Sequence, residues 1–325
     1  MGPRLFGVLL FVTWLSPTVV SGEDYYTLIV AGASGDPRYV DIYQQWRQDL
    51  VSALRAEPEF REEHLIVLAE TPGSGVGRAS REGVRQAMEE LRRRMTDDSI
   101  LLVVLFGHGT FDGIDSKFNL VGPDLEAAEW RALLDVLPGS VVFVDTTAAS
   151  YPFLTRLAGE RRVVITATES AVQQYDTVFP RFFVQAFIEA AADSDKNGRV
   201  SVWEVFEFTS RQVRRWYQQQ GRLATERSLL DDTADGVGRE VDQPGTDGAR
   251  AARLHVGAGI AMPPAIASPS LVPLVTRRTE LEDRVADLKA RKGDMQNDAY
   301  QAALESLLIE LAQVSREIRR KTATN

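Results

Sequence analysis

The sequence predicts an α/β fold in which a mainly parallel β-sheet lies between layers of helices, followed by a C-terminal α-helical hairpin. Three observations support this prediction. Apolar runs rich in valine, isoleucine and leucine recur at residues 26–31, 64–68, 100–106, 141–144 and 163–167. Segments with helical periodicity separate several of these runs. The runs are continuously apolar rather than alternating, which is typical of parallel strands that helices cover on both faces.

The first two predicted helices follow the first two strands. The strand at residues 26–31 ends in a glycine-rich turn, and a helix follows whose inner face carries Ile42, Trp46, Leu50 and Leu54. After the second strand and another glycine-rich loop, we expect Ser80 to cap a helix. The inner face of this helix has apolar residues spaced four and three apart, namely Val84, Met88 and Leu91. Each helix therefore presents one apolar stripe to the sheet.

The C-terminal third of the chain changes character twice. Residues 231–270 are rich in Asp, Gly, Ala and Pro and have little periodicity, so we predict a linker or surface segment. Residues 271–325 predict a helical hairpin whose second helix carries a heptad-like, coiled-coil stripe of Tyr300, Leu304, Leu307, Leu311, Val314 and Ile318. The pattern leaves open whether this hairpin packs back onto the main domain or forms an arm for homo-oligomerisation or partner docking.

The N-terminus predicts export. Arg4 precedes an apolar stretch at residues 5–15, and small residues at 20–22 resemble a cleavage site, so residues 1–22 read as a signal peptide. A buried strand or a membrane anchor is the alternative, but the apolar stretch is short for a membrane span. We therefore expect a periplasmic or extracellular protein without a transmembrane segment after cleavage, with residues 23–230 as its main domain.

Composition narrows the classes of function. The chain has 325 residues, a formal net charge of -9 and no cysteine. An acidic protein of this kind is not expected to bind nucleic acid as its main role. The absence of cysteine excludes disulfides and thiol chemistry, so the stability of the exported protein must come from its core or from a bound ion.

Polar and glycine-rich residues follow the apolar runs at the point where each strand ends. They comprise Gly32 and Gly35, the Gly107–Gly109 turn around His108, residues 145–147, and residues 168–170. The carboxyl ends of parallel strands meet at one edge of a sheet, which is where such folds bind ligands. We therefore expect these residues to converge on a cleft that takes a protein or peptide ligand.

Three of these stretches together resemble the legumain-type (asparaginyl endopeptidase) peptidases of the caspase fold. They are residues 29–35 (IVAGASG), 105–110 (LFGHGT) and 144–147 (VDTT), and the resemblance extends over residues 25–208. It implies a caspase-like three-layer fold. By the same resemblance His108 corresponds to the catalytic histidine, Gly109 to part of the oxyanion hole and Thr147 to the nucleophile position. It further implies that Asp145, Thr168 and Ser170 line the substrate pocket.

The chain departs from this family at the residues that matter most for catalysis. Thr147 stands where the family has its cysteine, and a threonine hydroxyl is far less acidic than a thiol and crowded by its methyl group. Val40 and Asp41 stand where these enzymes tend to carry basic pocket residues. We expect an inactive homologue that binds a protein or peptide. The alternatives are a hydrolase with a hydroxyl nucleophile at Thr146, Thr147 or Ser150, and a structural protein assembled through its hairpin.

Residues 193–204 match a twelve-residue, EF-hand-like calcium loop. Oxygen-bearing side chains fall at positions 1, 3, 5 and 9, a glycine at 6, a backbone carbonyl ligand at 7 and a glutamate at 12. The predicted Ca²⁺ ligands are accordingly Asp193, Asp195, Asn197, Arg199, Ser201 and Glu204. The alternative is a helix connector whose carboxylates only cap helices. A second stretch, from Asp231 to Asp242, matches the loop pattern poorly. A single site in such a domain indicates a structural role for the ion.

Overall fold

The computed structural model describes residues 24–57, 60–173, 175–255, 271–290 and 295–322, so the predicted signal peptide lies outside the described residues. The strands are β1 (Tyr25–Ala31), β2 (Leu65–Ala69), β3 (Gly77–Arg78), β4 (Ile100–Phe106), β5 (Gly109–Phe111), β6 (Ser116–Phe118), β7 (Leu125–Glu126), β8 (Ser140–Asp145), β9 (Arg162–Thr166) and β10 (Leu229–Asp231). The helices are α1 (Pro37–Arg55), α2 (Arg81–Arg94), α3 (Ala127–Leu134), α4 (Tyr151–Leu157), α5 (Phe179–Ala186), α6 (Val202–Gln219), α7 (Val272–Ala290) and α8 (Asn297–Thr322).

The main sheet has seven strands in the order β10-β9-β8-β4-β1-β2-β3, and only β10 runs antiparallel to its neighbour. β1 lies near its centre, where Ile29 pairs with Val67 of β2 and with Val104 of β4. The predicted fold class, an α/β sheet that is mainly parallel, with a C-terminal helical hairpin, is confirmed. Because β9, β8, β4 and β1 are consecutive neighbours, their carboxyl ends form one continuous edge.

Helices cover both faces of this sheet, which explains why its central strands are apolar throughout. Alternate residues of β4 face opposite sides, so that Val104 belongs to one hydrophobic core and Val103 to the other. On the first side the core includes side chains of α1, α5 and α6, such as Leu50, Phe183 and Phe206. On the second side the core includes residues of α2, α3 and α4, among them Met88, Trp130 and Phe153.

Local signals account for the starts of the first two helices. Asp36 caps α1 by accepting the N–H of Arg38, and Pro37 occupies the first turn, where its missing N–H is not needed. Ser80 caps α2 as predicted, with its hydroxyl accepting the N–H of Gly83. The small antiparallel sheet of β5, β6 and β7 was not predicted, because its strands are only two or three residues long.

The described part of the predicted linker, residues 231–255, is packed chain rather than a free connection. Val241 and Ala251 belong to the first core. The carboxylate of Asp232 accepts the N–H groups of Gly248 and Ala251 and so fixes a turn. The composition predicted a linker or surface segment, because a segment that buried carboxylates hold in place has no hydrophobic periodicity. Residues 256–270 lie outside the described residues.

The poorly matching loop from Asp231 to Asp242 does not gather metal ligands. The Asp231 carboxylate accepts backbone N–H groups of Thr233, Ala234 and Gly236, as a turn-capping aspartate does. Asp242, at the position of the twelfth ligand, instead forms an ion pair with Arg214. This stretch therefore organises a turn.

The C-terminal hairpin has an apolar seam between α7 and α8. Leu281 and Val285 of α7 pack against Leu307 of α8, and Leu288, Leu304, Leu311 and Val314 border this cluster. Arg277 and Glu310 form an ion pair across the two helices at 2.6 Å. Arg278 of α7 donates a hydrogen bond to the backbone carbonyl of Asn197, which ties the hairpin to the main domain. Among the described residues, no helix is long and apolar enough to cross a membrane.

Candidate functional site

The structure brings the predicted nucleophile position and the predicted oxyanion-hole residue into direct contact. Gly109 follows His108 at the end of β4, and Thr147 follows Asp145 at the end of β8, the neighbouring strand. A methyl group added at Gly109 would lie 2.6 Å from the Oγ1 atom of Thr147. Only a glycine therefore allows the two turns to approach this closely. The convergence expected from the sequence is present for these residues.

All three hydroxyls at the nucleophile position are buried. The exposed fractions are 1% for Thr146, 1% for Thr147 and 0% for Ser150. Thr146 Oγ1 donates to the carbonyl of Leu105 at 2.6 Å, and Ser150 Oγ lies 3.0 Å from the hydroxyl of Thr168. Thr147 Oγ1 is buried with no hydrogen-bond partner among the described residues. None of these hydroxyls is in a position to reach a peptide carbonyl from solvent.

His108 is held by aromatic rings rather than by a nucleophile or an acid. Its imidazole packs edge-on against Tyr39, with ring centroids 4.5 Å apart, and against Tyr43 at 5.7 Å. The half-buried ring makes no hydrogen bond with any other described residue. A general base in a hydrolase is normally oriented by a hydrogen bond to its second ring nitrogen. The surroundings of His108 do not supply one.

The predicted substrate-pocket residues differ in how much solvent they reach. Asp145 is fully buried, and its Oδ1 atom accepts the N–H of Thr147 at 2.9 Å. Burial raises the pKa of Asp145 to about 6, and the hydrogen bond from Thr147 opposes that rise. Thr168 is 1% exposed and donates to the carbonyl of Ala148, whereas Ser170 is half-buried. Asp145 and Thr168 thus support the turn beneath the cleft.

The segment between β9 and α5, called the cleft wall below, lies beside the predicted nucleophile turn. The hydroxyl of Tyr39 donates to Asp176, and Thr177 Oγ1 donates to the carbonyl of Thr146 at 2.6 Å. These two contacts connect the segment to α1 and to the predicted nucleophile turn.

Glu226 anchors the end of this wall and was not identified from the sequence. It is 2% exposed, and its carboxylate accepts the N–H groups of Val178 and Phe179 at 2.8 and 3.2 Å. The hydroxyl of Tyr217 donates to the same carboxylate at 3.1 Å. Burial raises the pKa of Glu226 to about 7, against the opposing effect of these hydrogen bonds. The two N–H groups that it accepts lie 48 and 47 residues away in the chain, so no local pattern could have revealed this role.

A small cavity of about 50 Å³ adjoins the cleft at the ends of β1 and β2. Gly32, Ser34, Val40, Arg47 and Glu70 contribute to its lining, together with Tyr43. The Nε atom of Arg47 is buried and has no hydrogen-bond partner. Arg47 was not identified from the sequence. It lies on the same face of α1 as Val40, two helical turns further on, and helical periodicity would have indicated this.

The structure gathers three of the predicted calcium ligands. Carboxylate oxygens of Asp193, Asp195 and Glu204 lie within 4.8 Å of one another. Gly198, at position 6, has a φ of +84°, the left-handed conformation for which the motif requires glycine. Burial and the neighbouring Glu204 raise the pKa of Asp195 to about 6. Clustered carboxylates are the hard oxygen donors that Ca²⁺ prefers, so these residues fit the ion.

The remaining predicted ligand positions shape the same loop. Asn197 Oδ1 accepts the N–H of Arg199, and Ser201 Oγ accepts the N–H of Glu204 as the cap of α6. The approach to the loop differs from the sequence prediction. A helix was expected to lead directly into Asp193, whereas α5 ends at Ala186 and a short 3₁₀ turn over Ala190–Ala192 precedes the loop.

Comparison with known proteins yields only distant likenesses. No family model matches the chain, and no curated protein matches its sequence. The protein GSU0716 from Geobacter sulfurreducens is similar in structure, with 13% identity, a TM-score of 0.41, and coverage of 64% of this chain and 92% of that chain. The caspase drICE has 11% identity and a TM-score of 0.37, with coverage of 62% and 87%. The fold described above rests on its own strand order and packing.

Proposed function

We propose that this chain is a catalytically inactive, legumain-like homologue of caspase-fold peptidases that binds calcium and acts as a module for binding a protein or peptide. The observation that carries the proposal is the burial of all three hydroxyls at the nucleophile position, at 1% exposure or less. A nucleophile must approach the scissile carbonyl and pass its proton to a base. Here the hydroxyls face the protein interior.

The state of His108 supports the same conclusion. A threonine hydroxyl ionises so reluctantly that it needs a well-oriented base. The imidazole of His108 is packed between Tyr39 and Tyr43 and lacks an orienting carboxylate among the described residues. Its role in the proposal is to fill space beside the cleft and to hold the turn that contains Gly109.

A binding role is supported by apolar side chains exposed around the ends of the strands. Val172 and Tyr175 of the cleft wall are 72% and 64% exposed, and Val40 of α1 is 43% exposed. Exposed apolar groups next to a cleft are typical of interaction sites. The hydrogen bond from Tyr39 to Asp176 joins the chain neighbours of Val40 and Tyr175.

Calcium has a structural role in this proposal. The ion would bridge Asp193 and Asp195, in the loop that enters α6, to Glu204 within α6. Neutralising three clustered carboxylates would stabilise the folded state. Export to a periplasmic or extracellular setting, where calcium is available, belongs to the same proposal, as does homo-oligomerisation through the C-terminal hairpin.

The decisive experiment incubates the full chain with a diverse peptide library in the presence of calcium and analyses the products by mass spectrometry. His108→Ala and Thr147→Ala are the matched variants. We expect no cleavage by the wild type or by either variant. Cleavage by the wild type that disappears in Thr147→Ala would establish the alternative, a hydrolase with a hydroxyl nucleophile.

Capture of peptides from the same library on the immobilised chain tests binding. We expect Tyr175→Ser to weaken the binding of the captured peptides at least tenfold, because it removes an exposed apolar group from the cleft wall. Val136→Ser is the control, since Val136 is 58% exposed after α3, at the opposite edge of the sheet. Equal losses in the two variants would contradict binding at the cleft.

A further inference from the structure

Asn197, at the fifth position of the predicted calcium loop, is the only asparagine of the chain that precedes a glycine. The side chain of an asparagine can react with the backbone nitrogen of the next residue, and glycine leaves that nitrogen unhindered because it has no Cβ. A peptide nitrogen is normally a poor nucleophile, since its lone pair is shared with the carbonyl group. The reaction therefore depends on the groups that surround the nitrogen and the carboxamide.

The backbone nitrogen of Gly198 has a proton acceptor beside it. Its N–H donates to Asp193 Oδ2 at 2.9 Å, which is within the reach of a general base. The carbonyl of Asn197 belongs to the same peptide group and accepts a hydrogen bond from the guanidinium of Arg278. A positive charge at this oxygen stabilises the peptide group as its nitrogen loses a proton. Both contacts make the nitrogen a better nucleophile.

The carboxamide of Asn197 is held at both of its polar atoms. Its Oδ1 atom accepts the N–H of Arg199 at 2.7 Å, which stabilises the negative charge that attack at Cγ places on this oxygen. Its Nδ2 atom donates to Asp195 Oδ2 at 3.1 Å. The hydrogen bond from Arg199 closes a ring of atoms that contains both Cγ and the nitrogen of Gly198. The two reacting atoms therefore belong to one compact turn.

We propose that Asn197 is a site of spontaneous covalent modification, at which the loop converts asparagine to aspartate and isoaspartate. The nitrogen of Gly198 forms a bond to Cγ, and its proton passes by way of Asp193 Oδ2 to Nδ2. The bond between Cγ and Nδ2 breaks, and ammonia leaves. Water then hydrolyses the succinimide at either of its two carbonyl groups, which gives aspartate or isoaspartate at position 197. Asn197 is half-buried, so water reaches it.

Calcium should suppress this reaction, because the atoms that promote it are also predicted calcium ligands. A carboxylate of Asp193 that coordinates the ion no longer accepts the proton of Gly198, and a coordinated carboxamide of Asn197 is fixed in place. The modification would in turn alter the loop. Aspartate at position 197 adds a carboxylate to the ligand set, whereas isoaspartate lengthens the backbone by one carbon beside the carbonyl that Arg278 contacts.

The test follows position 197 in the full chain during incubation at neutral pH with EDTA. Digestion and mass spectrometry separate the asparagine, succinimide, aspartate and isoaspartate forms. Asn119, which precedes a leucine, is the internal reference, and we expect Asn197 to be converted at least tenfold faster. The same chain unfolded in urea keeps the Asn-Gly pair but loses the contacts of the loop. Conversion should be at least threefold faster in the folded chain, and a slower rate there would overturn the proposal.

Arg278→Gln removes one promoting contact without changing a predicted calcium ligand. It should slow the conversion of Asn197 in EDTA at least threefold, because the charge at the Asn197 carbonyl is lost. Arg277→Gln is the matched control on the same helix, since Arg277 pairs with Glu280 and Glu310, and it should leave the rate unchanged. A faster rate in Arg278→Gln would mean that the contact restrains Asn197, which contradicts the proposal.

A parallel incubation in excess calcium separates this inference from the proposed function. We expect calcium to slow the conversion of Asn197 in the wild type at least tenfold. Equal rates with calcium and with EDTA would contradict calcium binding by the loop. The rates measured with EDTA, in the folded and the unfolded chain, decide the modification by themselves.

Discussion

The predicted calcium loop and the cleft at the strand ends both contain clusters of oxygen-bearing side chains, but the oxygens contact different partners in the two regions. In the loop, oxygens of Asp193, Asp195 and Glu204 converge within 4.8 Å. In the cleft, the hydroxyls of Thr146 and Ser150 are satisfied by other atoms of the domain, at 2.6 and 3.0 Å. The same kinds of atom therefore converge on one another in the loop, whereas in the cleft they pair with neighbouring groups of the domain.

The difference lies in charge rather than in hydrogen bonding, because the loop carboxylates also accept backbone N–H groups. In the loop, the converging carboxylates repel one another, and their repulsion contributes to the raised pKa of Asp195. A cation would relieve that cost. In the cleft, the unsatisfied oxygens are one of Asp145 and the Oγ1 of Thr147, both deep in the interior. The type of residue at a position is thus a weaker guide to function than the direction in which its side chain points.

The largest expected effect is the loss of calcium from the loop. An ion present at a thousandfold excess over its dissociation constant stabilises the fold by about 4 kcal/mol. For a chain of this length, that corresponds to a fall in Tm of roughly 6 °C upon chelation. Scanning calorimetry with calcium and with excess EDTA measures the difference.

Asp195→Ala is the matched variant for this prediction, because Asp195 does not cap a helix, whereas Glu204 also caps α6. Its Tm should not respond to EDTA. If the Tm of the wild type is the same with calcium and with EDTA, the loop is a helix connector that binds no calcium. The two regions would then not differ in ligand binding.

A smaller effect is expected from the pH dependence of Glu226. Its pKa is about 7 in the folded state, above the ordinary value of 4.5, so the folded state binds more protons between these values. The stabilisation is therefore complete below about pH 4.5 and is lost as the pH rises through 7. We expect Glu226 to contribute a loss of about 3 kcal/mol between pH 5 and pH 8. Urea unfolding at the two pH values measures it.

Glu226→Gln cannot ionise and keeps one oxygen, which can accept the N–H of either Val178 or Phe179 but not both as the carboxylate does. It should remove the contribution of Glu226 and leave those of Asp145, Asp195 and Asp247, whose pKa values are raised to about 6 and act in the same direction. Glu160→Gln, at an exposed position, should leave the wild-type profile unchanged. If Glu226→Gln and the wild type lose stability in parallel, Glu226 is not the titrating group.

The smallest effect concerns the contact between Gly109 and Thr147. A methyl group at position 109 would meet Thr147 Oγ1 at 2.6 Å, so Gly109→Ala should destabilise the fold by about 2 kcal/mol. Thr147→Ala removes the obstructing oxygen, and the double variant should recover more than half of that loss. A double-mutant cycle of urea unfolding free energies tests this coupling.

Additive losses in the cycle would mean that the two turns move apart when position 109 is enlarged. The cleft would then be deformable, and the burial of Thr147 would no longer argue against catalysis. Strong coupling would instead indicate that the two turns are held rigidly against each other.

The sequence predicted the sheet well where hydrophobic patterning alone determines structure. β4 has the predicted bounds, Ile100–Phe106, because every residue of the strand is buried and residues 101–106 belong alternately to the two cores. Ser80 was found as a helix cap because its signal is local. The small sheet after His108 was missed, since its short strands form only through pairing with one another.

The candidate site was predicted in its position but not in its accessibility. The order of the strands brought Gly109 and Thr147 together, as parallel topology requires. Whether a threonine side chain points to solvent or to a backbone carbonyl depends on neighbours from other strands, which the sequence does not reveal. Arg47 and Glu226 were missed for the same reason, because their surroundings are assembled from distant segments.

The hydrogen bond from Arg278 to the carbonyl of Asn197 has a thermodynamic consequence. It joins the hairpin to the fifth position of the loop, in the conformation that also gathers Asp193, Asp195 and Glu204. Two events that favour one conformation must favour each other by the same free energy. A cation in the loop would therefore hold the hairpin more firmly, and a firmly held hairpin would raise the affinity of the loop for the cation.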